Sequence, residues 1–432
     1  MKPSPDESHN HDEHWRQRTR HIVDTMREMS LQTDPQKMVD AYRVRMKKIL
    51  PTDRMVSLSR RDLEPPHYRI TRSSLWTEPV NPWKHPEKLP LFDRGLLGEL
   101  LYGDEPRIID KIDVAPNDPA AEYFAGQQSL VALPLYDHGL AINMVILMRE
   151  APAAFSRAQL PDLVWTSSLF GRAATTLVLH QQLQDAYDAM DFELRQVEDM
   201  QRSLLPPTLP KIENLDLAAH YETSHRAGGD YYDFFPLKDG RCGILIADVS
   251  GHGTPAAVVM AITHSIAHTQ PAEPTPPSRM LDYLNRQLTC RYTAQRGSFV
   301  TAFYGIFDPR TRKLSYSCAG HNAPRLKRCE DGTMTSLDGT LGLPLGIEKN
   351  ESYAEATHAL RPGDQIIFYT DGITEARNPA GEMFGVERLD AVLEDCRVSA
   401  APLIDAVLST LAAFTAGAPA DDDRTLLVAK VK

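Results

Sequence analysis

Four aspartates lie at or near the ends of apolar segments in the C-terminal half of the chain. Asp230 lies in the glycine turn of "GGDYYDF", Asp248 follows "CGILIA", Asp371 follows "QIIFYT", and Asp422 precedes "RTLLVAKV". A strand that ends in an aspartate holds the carboxylate at a sheet edge on a rigid scaffold. One such aspartate is commonly a turn residue, but four in the same context favour a shared site.

Carboxylates that are gathered in one place repel one another, and a divalent cation removes this penalty. Oxygen-only ligands favour hard ions such as Mg²⁺ or Mn²⁺ over zinc. Two ions about 4 Å apart can clamp a phosphoryl group for in-line attack. Phosphate monoesters need rate enhancements up to about 10²¹, so positioning and charge neutralisation dominate the chemistry. The aspartates therefore predict a site for phosphoryl chemistry with two metal ions.

The segment from about 208 to 432 must position these aspartates. Strand patterns occupy 242–247, 299–307, 313–318, 365–370 and 424–431, and helical patterns occupy 255–269, 279–292, 387–396 and 403–414. Thr254 is the expected cap of the first helix, because Pro255 suits a helix start. Strands come in bursts without regular βαβ alternation. This order favours stacked antiparallel sheets with helices outside.

The N-terminal half divides into an arm and a mixed α/β domain. Residues 1–34 are polar and acidic, and His9, His11 and His14 could bind a transition metal, although such a cluster is more often a plain polar tail. Residues 35–180 carry mixed patterns, with two strands in 129–148 around a turn at 137–139 and a helix from about Arg157.

A helical linker is expected over 181–207, within a helix of about 171–205. Leu183, Met190, Val197 and Leu204 recur every seven residues, Ala186 and Met200 hold companion positions, and Glu193 interrupts the seam. This imperfect heptad pattern predicts a homodimer through residues 181–205, and a lone amphipathic helix is the alternative. Pro206 and Pro207 end the helix.

Composition limits the function classes. The chain has 432 residues, a net charge of −11 and a pI of about 5.8, which disfavours nucleic acid and anionic membranes as partners. No apolar run reaches the roughly 18 residues that span a bilayer, and the polar N-terminus is not a secretory signal. Five irregularly spaced cysteines fit reduced thiols, so we expect a cytoplasmic protein.

The C-terminal half resembles bacterial phosphatases of the stage-II-sporulation-E and RsbU type, a branch of the PP2C-like Ser/Thr phosphatases. The matching segments include "QRSLLPPTLP", "GGDYYDFF", "ADVSGHGTPAAVVMA", "AGHNAP", "LGLPLGI", "IIFYTDGITEARN" and "DDRTLLVAKV". The resemblance covers about 230 residues. It implies an α-β-β-α sandwich within an α+β chain, two Mn²⁺ or Mg²⁺ ions, and phosphoserine or phosphothreonine on a STAS-type anti-anti-sigma protein as substrate.

The resemblance also implies roles for individual residues. Its metal ligands map onto Asp230, Asp248, the Val249 carbonyl, Asp371 and Asp422, with Asp248 bridging the ions and with Asp423, like Asp230, acting directly or through water. The substrate cleft would include Gly229, Ser250, His252, His321 and Asn322. Eukaryotic PP2C enzymes carry a histidine two residues after the bridging aspartate. Ser250 stands there in this chain, so the resemblance assigns no acid to His252.

Residues 35–180 resemble a GAF domain, a small sensor fold. The resemblance rests on "LPL", the hairpin, the apolar second strand and the helix after Phe155. It departs at Asn143 and Met144, where the family often has glycine. No cysteine precedes Cys242, so a thioether-linked bilin is excluded. A non-covalent ligand and a purely structural role both remain open.

Two other functions compete with a phosphatase controlled by this sensor. A diguanylate cyclase has a GG[DE]EF loop, but Tyr231 and Tyr232 stand where that loop has Glu and Phe. The cyclase hypothesis also leaves "DVSGHG", "TDG" and "DDRT" unexplained. A phosphatase-like scaffold without turnover would bind its partner only, and the presence of all four acidic ligands argues against it.

Overall fold

The computed structural model describes residues 16–432, except 17–18, 21, 79, 271–275, 294–296 and 394–395. The chain divides into two compact units, Met1–Asp188 and Ala189–Lys432. The domain boundaries expected near 34, 180 and 207 stay predictions. His9, His11 and His14 lie outside the described residues.

The N-terminal unit is built on one antiparallel sheet. Its elements are α1 Pro35–Ile49, β1 Arg54–Ser59, β2 Tyr68–Ser73, β3 Leu91–Phe92, α2 Leu96–Tyr102, β4 Arg107–Ile109, β5 Ser129–Asp137, β6 Leu140–Arg149 and the start of α3 Leu160–Arg202. The strand order is β3-β2-β1-β6-β5-β4. One face of the sheet packs on α2 and the other on α1 and α3, with a separate apolar core on each side.

The expected hairpin in 129–148 is confirmed. Strands β5 and β6 pair around His138 and Gly139, whose φ angles of 50° and 81° fit a tight hairpin turn. The helix expected over 171–205 is one longer helix, α3, which begins at Leu160 and ends at Arg202. Leu204, expected as the last heptad residue, therefore lies beyond the helix.

A cavity of about 610 Å³ lies within the N-terminal unit. Apolar and aromatic side chains line it, among them Tyr42, Trp83, Leu135 and Phe170. Arg72 also lines it, with its guanidinium 5.1 Å above the Trp83 ring. Burial lowers the Arg72 pKa to about 10.

The C-terminal unit contains two five-stranded antiparallel sheets. Its strands are β7 Leu215–Glu222, β8 Tyr231–Pro236, β9 Cys242–Val249, β10 Val300–Asp308, β11 Lys313–Ala319, β12 Arg325–Lys327, β13 Met334–Ser336, β14 Ala356–Ala359, β15 Gln365–Tyr369 and β16 Arg424–Val431. Its helices are α4 Thr254–His268, α5 Pro277–Leu288, α6 Asp371–Thr374, α7 Gly385–Val392 and α8 Ala400–Phe414. The strand orders are β14-β11-β10-β9-β8 and β13-β12-β15-β16-β7.

The two sheets pack face to face through a shared apolar core. Phe303 of β10 meets Phe368 of β15 edge-on, with ring centroids 5.7 Å apart. Helices α4 and α5 cover the first sheet, and α8 covers the second. The mixed helix-and-sheet class expected from the sequence is confirmed.

The sequence predicted β9, β10, β11, β15 and β16 to within two residues at each end. It gave no strand at β7 or β8, which mix polar and apolar residues without clear alternation, nor at the short strands β12, β13 and β14. The cap of α4 is Gly253 rather than Thr254, which is itself the first helical residue.

Two of the five cysteines correct the expectation of reduced thiols. Cys329 and Cys396 form a disulfide, with Cα atoms 5.7 Å apart. They are 67 residues apart in the chain, so their spacing gave no signal of the pairing. Among the described helices, none is both long and apolar enough to cross a membrane.

Candidate metal centre

The glycine turn before Asp230 is held by the carboxylate of Asp423. Gly229 N–H donates to Asp423 Oδ2 at 2.6 Å, and Ser224 N–H donates to Oδ1 at 2.8 Å. A Cβ atom at Gly228 would lie 2.1 Å from Asp423 Oδ2, so any larger residue there would displace this carboxylate. Asp423, a predicted ligand, therefore also positions the turn.

Asp230 is fixed by two hydroxyl groups from the other sheet. Its Oδ2 atom accepts from Thr370 Oγ1 at 2.7 Å and from Thr425 Oγ1 at 2.6 Å. The side chain is 1% exposed, and burial raises its pKa well above the usual range despite these two bonds. Asp423 and Asp371 add to the increase through charge repulsion. The arrangement joins the starts of β8 and β16 to the end of β15.

Asp248 lies at the end of β9, beside the same turn. Val249 N–H donates to Gly229 O at 3.3 Å, and a Cβ atom at Gly229 would lie 2.8 Å from Val249 O. Burial raises the pKa of Asp248 to about 9, and repulsion from the surrounding aspartates adds to the shift. Those aspartates are Asp230, Asp371, Asp422 and Asp423.

Asp371 and Asp422 complete the group of acids. Burial raises the pKa of Asp371, and repulsion from Asp422 and Glu375 adds to the increase. A Cβ atom at Gly372 would lie 2.0 Å from Asp423 O, so the Asp371 loop approaches the Asp422–Asp423 backbone closely. Five carboxylates from four segments thus lie close enough to repel one another where the two sheets end.

This donor set fits hard divalent ions. Asp230 and Asp423 are buried, Asp248 and Asp371 are half-buried, and Asp422 is exposed. The raised pKa values of Asp230, Asp248 and Asp371 reflect the cost of charging these groups without a cation. All of the donors are oxygens, which Mg²⁺ and Mn²⁺ prefer. The geometry therefore supports the metal centre that the sequence predicted, and the individual ligands stay a proposal.

Comparison with known proteins identifies this unit. Residues 238–432 match the family described as stage II sporulation protein E (SpoIIE). Residues 238–432 therefore form a SpoIIE-type domain. The PP2C domain of SiaA from Pseudomonas aeruginosa has the same fold, with a TM-score of 0.51 at 22% identity, over 57% of this chain and 98% of that domain.

Two curated relatives align with the chain. The phosphoserine phosphatase RsbU of Bacillus subtilis is 32% identical over 202 residues, which cover 47% of this chain and 59% of RsbU. The protein IcfG of Synechocystis is 27% identical over 290 residues, which cover 61% of this chain and 45% of IcfG. The chain therefore spans about half the length of these relatives.

The predicted cleft residues of the SpoIIE-type domain differ from one another in burial and in hydrogen bonding. Ser250 Oγ accepts from Phe299 N–H at 2.9 Å, so this hydroxyl fixes the loop. His321 is buried, its Nδ1 atom lies 2.9 Å from Thr301 Oγ1, and burial lowers its pKa to about 4. His252 is exposed and stacks on the ring of His225 at 4.8 Å, and Asn322 is half-buried.

Sequence reasoning missed three residues that hold the centre of the SpoIIE-type domain. Thr370 directly follows β15 and precedes Asp371. Thr425 is the second residue of β16 and lies two residues after Asp423. Their position beside the predicted ligands could have indicated them. Gln201 gave no signal. Its Nε2 atom donates to Gly228 O at 2.5 Å and its Oε1 atom accepts from Gly228 N–H at 3.0 Å.

Proposed function

We propose that this protein is a metal-dependent phosphoprotein Ser/Thr phosphatase. The observation that carries the proposal is the group of five carboxylates around Asp248, whose pKa is raised to about 9 by burial and, in addition, by repulsion from the other four. Such a group is costly to keep without cations, and it suits a site that binds two ions. The similarity to RsbU of Bacillus subtilis, a phosphoserine phosphatase, supports the same reaction.

The reaction is hydrolysis of a phosphate monoester. A water oxygen forms the new bond to phosphorus and the bond to the serine or threonine oxygen breaks. One proton of the water ends on that leaving oxygen, and the other stays on the released phosphate. Mn²⁺ or Mg²⁺, held by Asp230, Asp248, Asp371, Asp422 and the Val249 carbonyl, would neutralise the charge of the phosphoryl group. The carboxylates would fix the positions of the ions. The ends of the two sheets exclude bulk water from Asp230, which is buried.

The buried histidine does not serve as a charged acid in this proposal. The pKa of His321 is about 4, so its ring is neutral near pH 7. His252 lies exposed with His225, and we assign it no proton transfer. His321 instead orients Thr301, whose hydroxyl lies 3.4 Å from the Asp248 carbonyl oxygen.

The proposed substrate is a phosphorylated STAS-type anti-anti-sigma protein. This step rests on the resemblance to RsbU-type enzymes. A phosphatase-like scaffold remains the alternative, and a diguanylate cyclase is a remote one. Phosphate release from a phosphoserine STAS protein separates them, because the scaffold would bind that protein without turnover and the cyclase would leave it phosphorylated.

We further propose that helix α3 controls the centre through Gln201. This side chain is buried in the last turn of the helix and pairs with both backbone polar groups of Gly228. Arg226, two residues earlier than Gly228, forms ion pairs with Asp191 at 2.8 Å and Glu198 at 3.7 Å on the same helix. Movement of this helix end would therefore move the turn that carries Asp230.

The variant Gln201→Glu tests this control. A carboxylate cannot donate a hydrogen bond to Gly228 O, so the turn would lose one hydrogen bond. The carboxylate would also repel the Gly228 carbonyl oxygen. We expect kcat to fall about tenfold or more, since truncating a hydrogen bond to a buried group costs roughly 1–3 kcal/mol. Gln196→Glu, on an exposed position of the same helix, is the matched control. Equal kcat in both variants would refute the role of Gln201.

The N-terminal unit is proposed as a GAF-like sensor that acts through a dimeric linker. Its cavity, lined partly by α3 residues 167–182, provides a place for a small molecule beside that helix. Exposed apolar side chains follow the predicted seam, among them Leu183, Met190 and Met200. These exposures support a homodimer, and a monomer in sedimentation analysis of the full chain would contradict it.

The variant Thr175→Trp tests the sensor. Thr175 lines the cavity, so the indole would fill space that a ligand would take. We expect a severalfold change in phosphatase activity, because the occupied cavity would displace α3. Thr176→Trp, on the exposed side of the same helix, is the control. If both folded variants have the same phosphatase activity as the parent protein, filling the cavity does not affect the aspartate centre.

A further inference from the structure

A second group of possible metal ligands lies on the outer side of the first sheet. It consists of Asp233 on β8 and of His264 and His268 on α4. The two histidines are one helical turn apart, so they share one face of the helix. One ligand atom from each of the three residues lies within 4.8 Å of the others.

The carboxylate of this group is already oriented. Asp233 is 6% exposed, and its Oδ2 atom accepts from Tyr231 Oη at 2.6 Å and lies 2.6 Å from His268 Nε2. Its Oδ1 atom accepts from Phe234 N–H at 2.7 Å. Such outer hydrogen bonds are typical of carboxylates that bind metals.

The two imidazole rings are also placed for a shared ion. Their centroids are 4.4 Å apart, and the His264 ring meets Tyr231 edge-on at 5.7 Å. His268 packs against Phe235 at 5.2 Å, but its side chain is 46% exposed. The group thus has a buried acid, a half-buried imidazole and an exposed imidazole that leaves an entry path.

We propose that Asp233, His264 and His268 bind a divalent transition-metal ion, with Zn²⁺ as the expected occupant. Two imidazoles and one carboxylate form the mixed nitrogen and oxygen set that zinc accepts and that Mg²⁺ does not favour. A fourth position would be open to solvent. The site is separate from the aspartate centre, because β8 directs Asp233 toward α4.

Binding would require one small rearrangement. Zinc ligands about 2.0–2.1 Å from a tetrahedral ion lie roughly 3.3 Å apart, which is longer than the present contact of 2.6 Å between Asp233 and His268. His268 is the last residue of α4 and is half-exposed, so its ring has room to withdraw. Without metal, the same pair is an ordinary hydrogen bond.

The position of this site predicts an effect of zinc on the stability of the C-terminal unit. Strand β8 begins directly after Asp230, and α4 begins six residues after Asp248. An ion between β8 and α4 would tie together two elements that position the aspartate centre. We therefore expect zinc to raise the unfolding temperature of the full chain, and this effect does not depend on the proposed phosphatase activity.

The test measures Zn²⁺ binding to the full chain by equilibrium dialysis, with excess Mg²⁺ present to occupy the aspartate centre. We expect one zinc equivalent in the parent protein and in His180→Gln, an exposed control on α3. His264→Gln and His268→Gln should each bind zinc at least about tenfold more weakly. Co²⁺ in place of zinc should give visible absorption that both variants lose.

Two results would overturn the proposal. One is unchanged zinc binding in folded His264→Gln and His268→Gln variants, which would assign the zinc to another site. The other is no bound zinc in the parent protein, which would leave the group as a hydrogen-bonded pair only. Circular dichroism of each variant shows whether it is folded, and Asp233→Asn provides a third variant if either histidine change unfolds the protein.

Discussion

The Asp248→Asn variant should lose phosphatase turnover by about 10³-fold or more while it keeps its fold. Asp248 is the residue on which the repulsion of the other four acids converges, and the proposed role is to bridge two ions. An amide has no charge to offset the ions, and loss of one such electrostatic group typically costs 10²–10³-fold or more in rate. Phosphate release under saturating Mn²⁺ measures the effect.

The same variant should also change how the free energy of unfolding depends on pH when metal is removed. The pKa of Asp248 is raised to about 9 in the folded protein. The protonated carboxyl therefore contributes stability that is fully present below its unfolded pKa of roughly 3.9 and is lost as the pH rises through about 9. Asparagine has no proton to lose. In EDTA, urea unfolding should therefore show a smaller loss of stability between about pH 5 and about pH 8 than in the parent protein.

A surface aspartate provides the control for both measurements. Asp405→Asn changes an exposed residue of α8 that is not among the five acids of the centre. It should keep the activity and the pH profile of the parent protein. Near-normal turnover in Asp248→Asn, or a pH profile identical to that of the parent protein, would contradict the role assigned to Asp248.

The second large effect is expected from Gly372→Ala. The added methyl group would lie 2.0 Å from the Asp423 carbonyl oxygen, and this contact is with backbone rather than with a flexible side chain. The Asp371 loop must then move away from Asp422 and Asp423. Overpacking of this kind costs roughly 1–3 kcal/mol of stability. We expect loss of activity and weaker Mn²⁺ binding, measured by phosphate release and calorimetry.

Gly240→Ala separates the general cost of the substitution from displacement of the centre. Gly240 has a φ of 84° with open space around it, so alanine there adds backbone strain without a clash. This control should lose some stability and keep normal Mn²⁺ binding. If Gly372→Ala bound Mn²⁺ as tightly as this control, the close approach would have no part in forming the centre.

The sequence predicted much of the C-terminal unit because its signals are local. Largely apolar runs indicated β9, β10, β15 and β16, since strands buried on both faces are mostly apolar, whereas β11 alternates polar and apolar residues. Asp248, Asp371 and Asp422 lie at or near the ends of these strands, and Asp230 lies in a glycine turn, so a shared site could be anticipated. The mixed strand β8 gave no such signal, although it carries Asp233.

The remaining features depend on contacts between distant segments. Gln201 and Gly228 are 27 residues apart, and a buried glutamine in a polar helix looks like any exposed one in the sequence. Cys329 and Cys396 became neighbours only through the packing of β12 and α7. Thr370 and Thr425 come from different strands, and their shared contact with Asp230 appears only in three dimensions.

The most direct test of the proposed metal-dependent phosphatase is phosphate release by the full chain from a STAS protein phosphorylated on serine, compared in Mn²⁺, in Mg²⁺ and in EDTA. We expect turnover with either ion, none in EDTA, and recovery when metal is restored. Turnover that persists in EDTA would contradict the metal centre. Binding of the phosphoprotein without any phosphate release, under every metal condition, would show a scaffold instead of an enzyme.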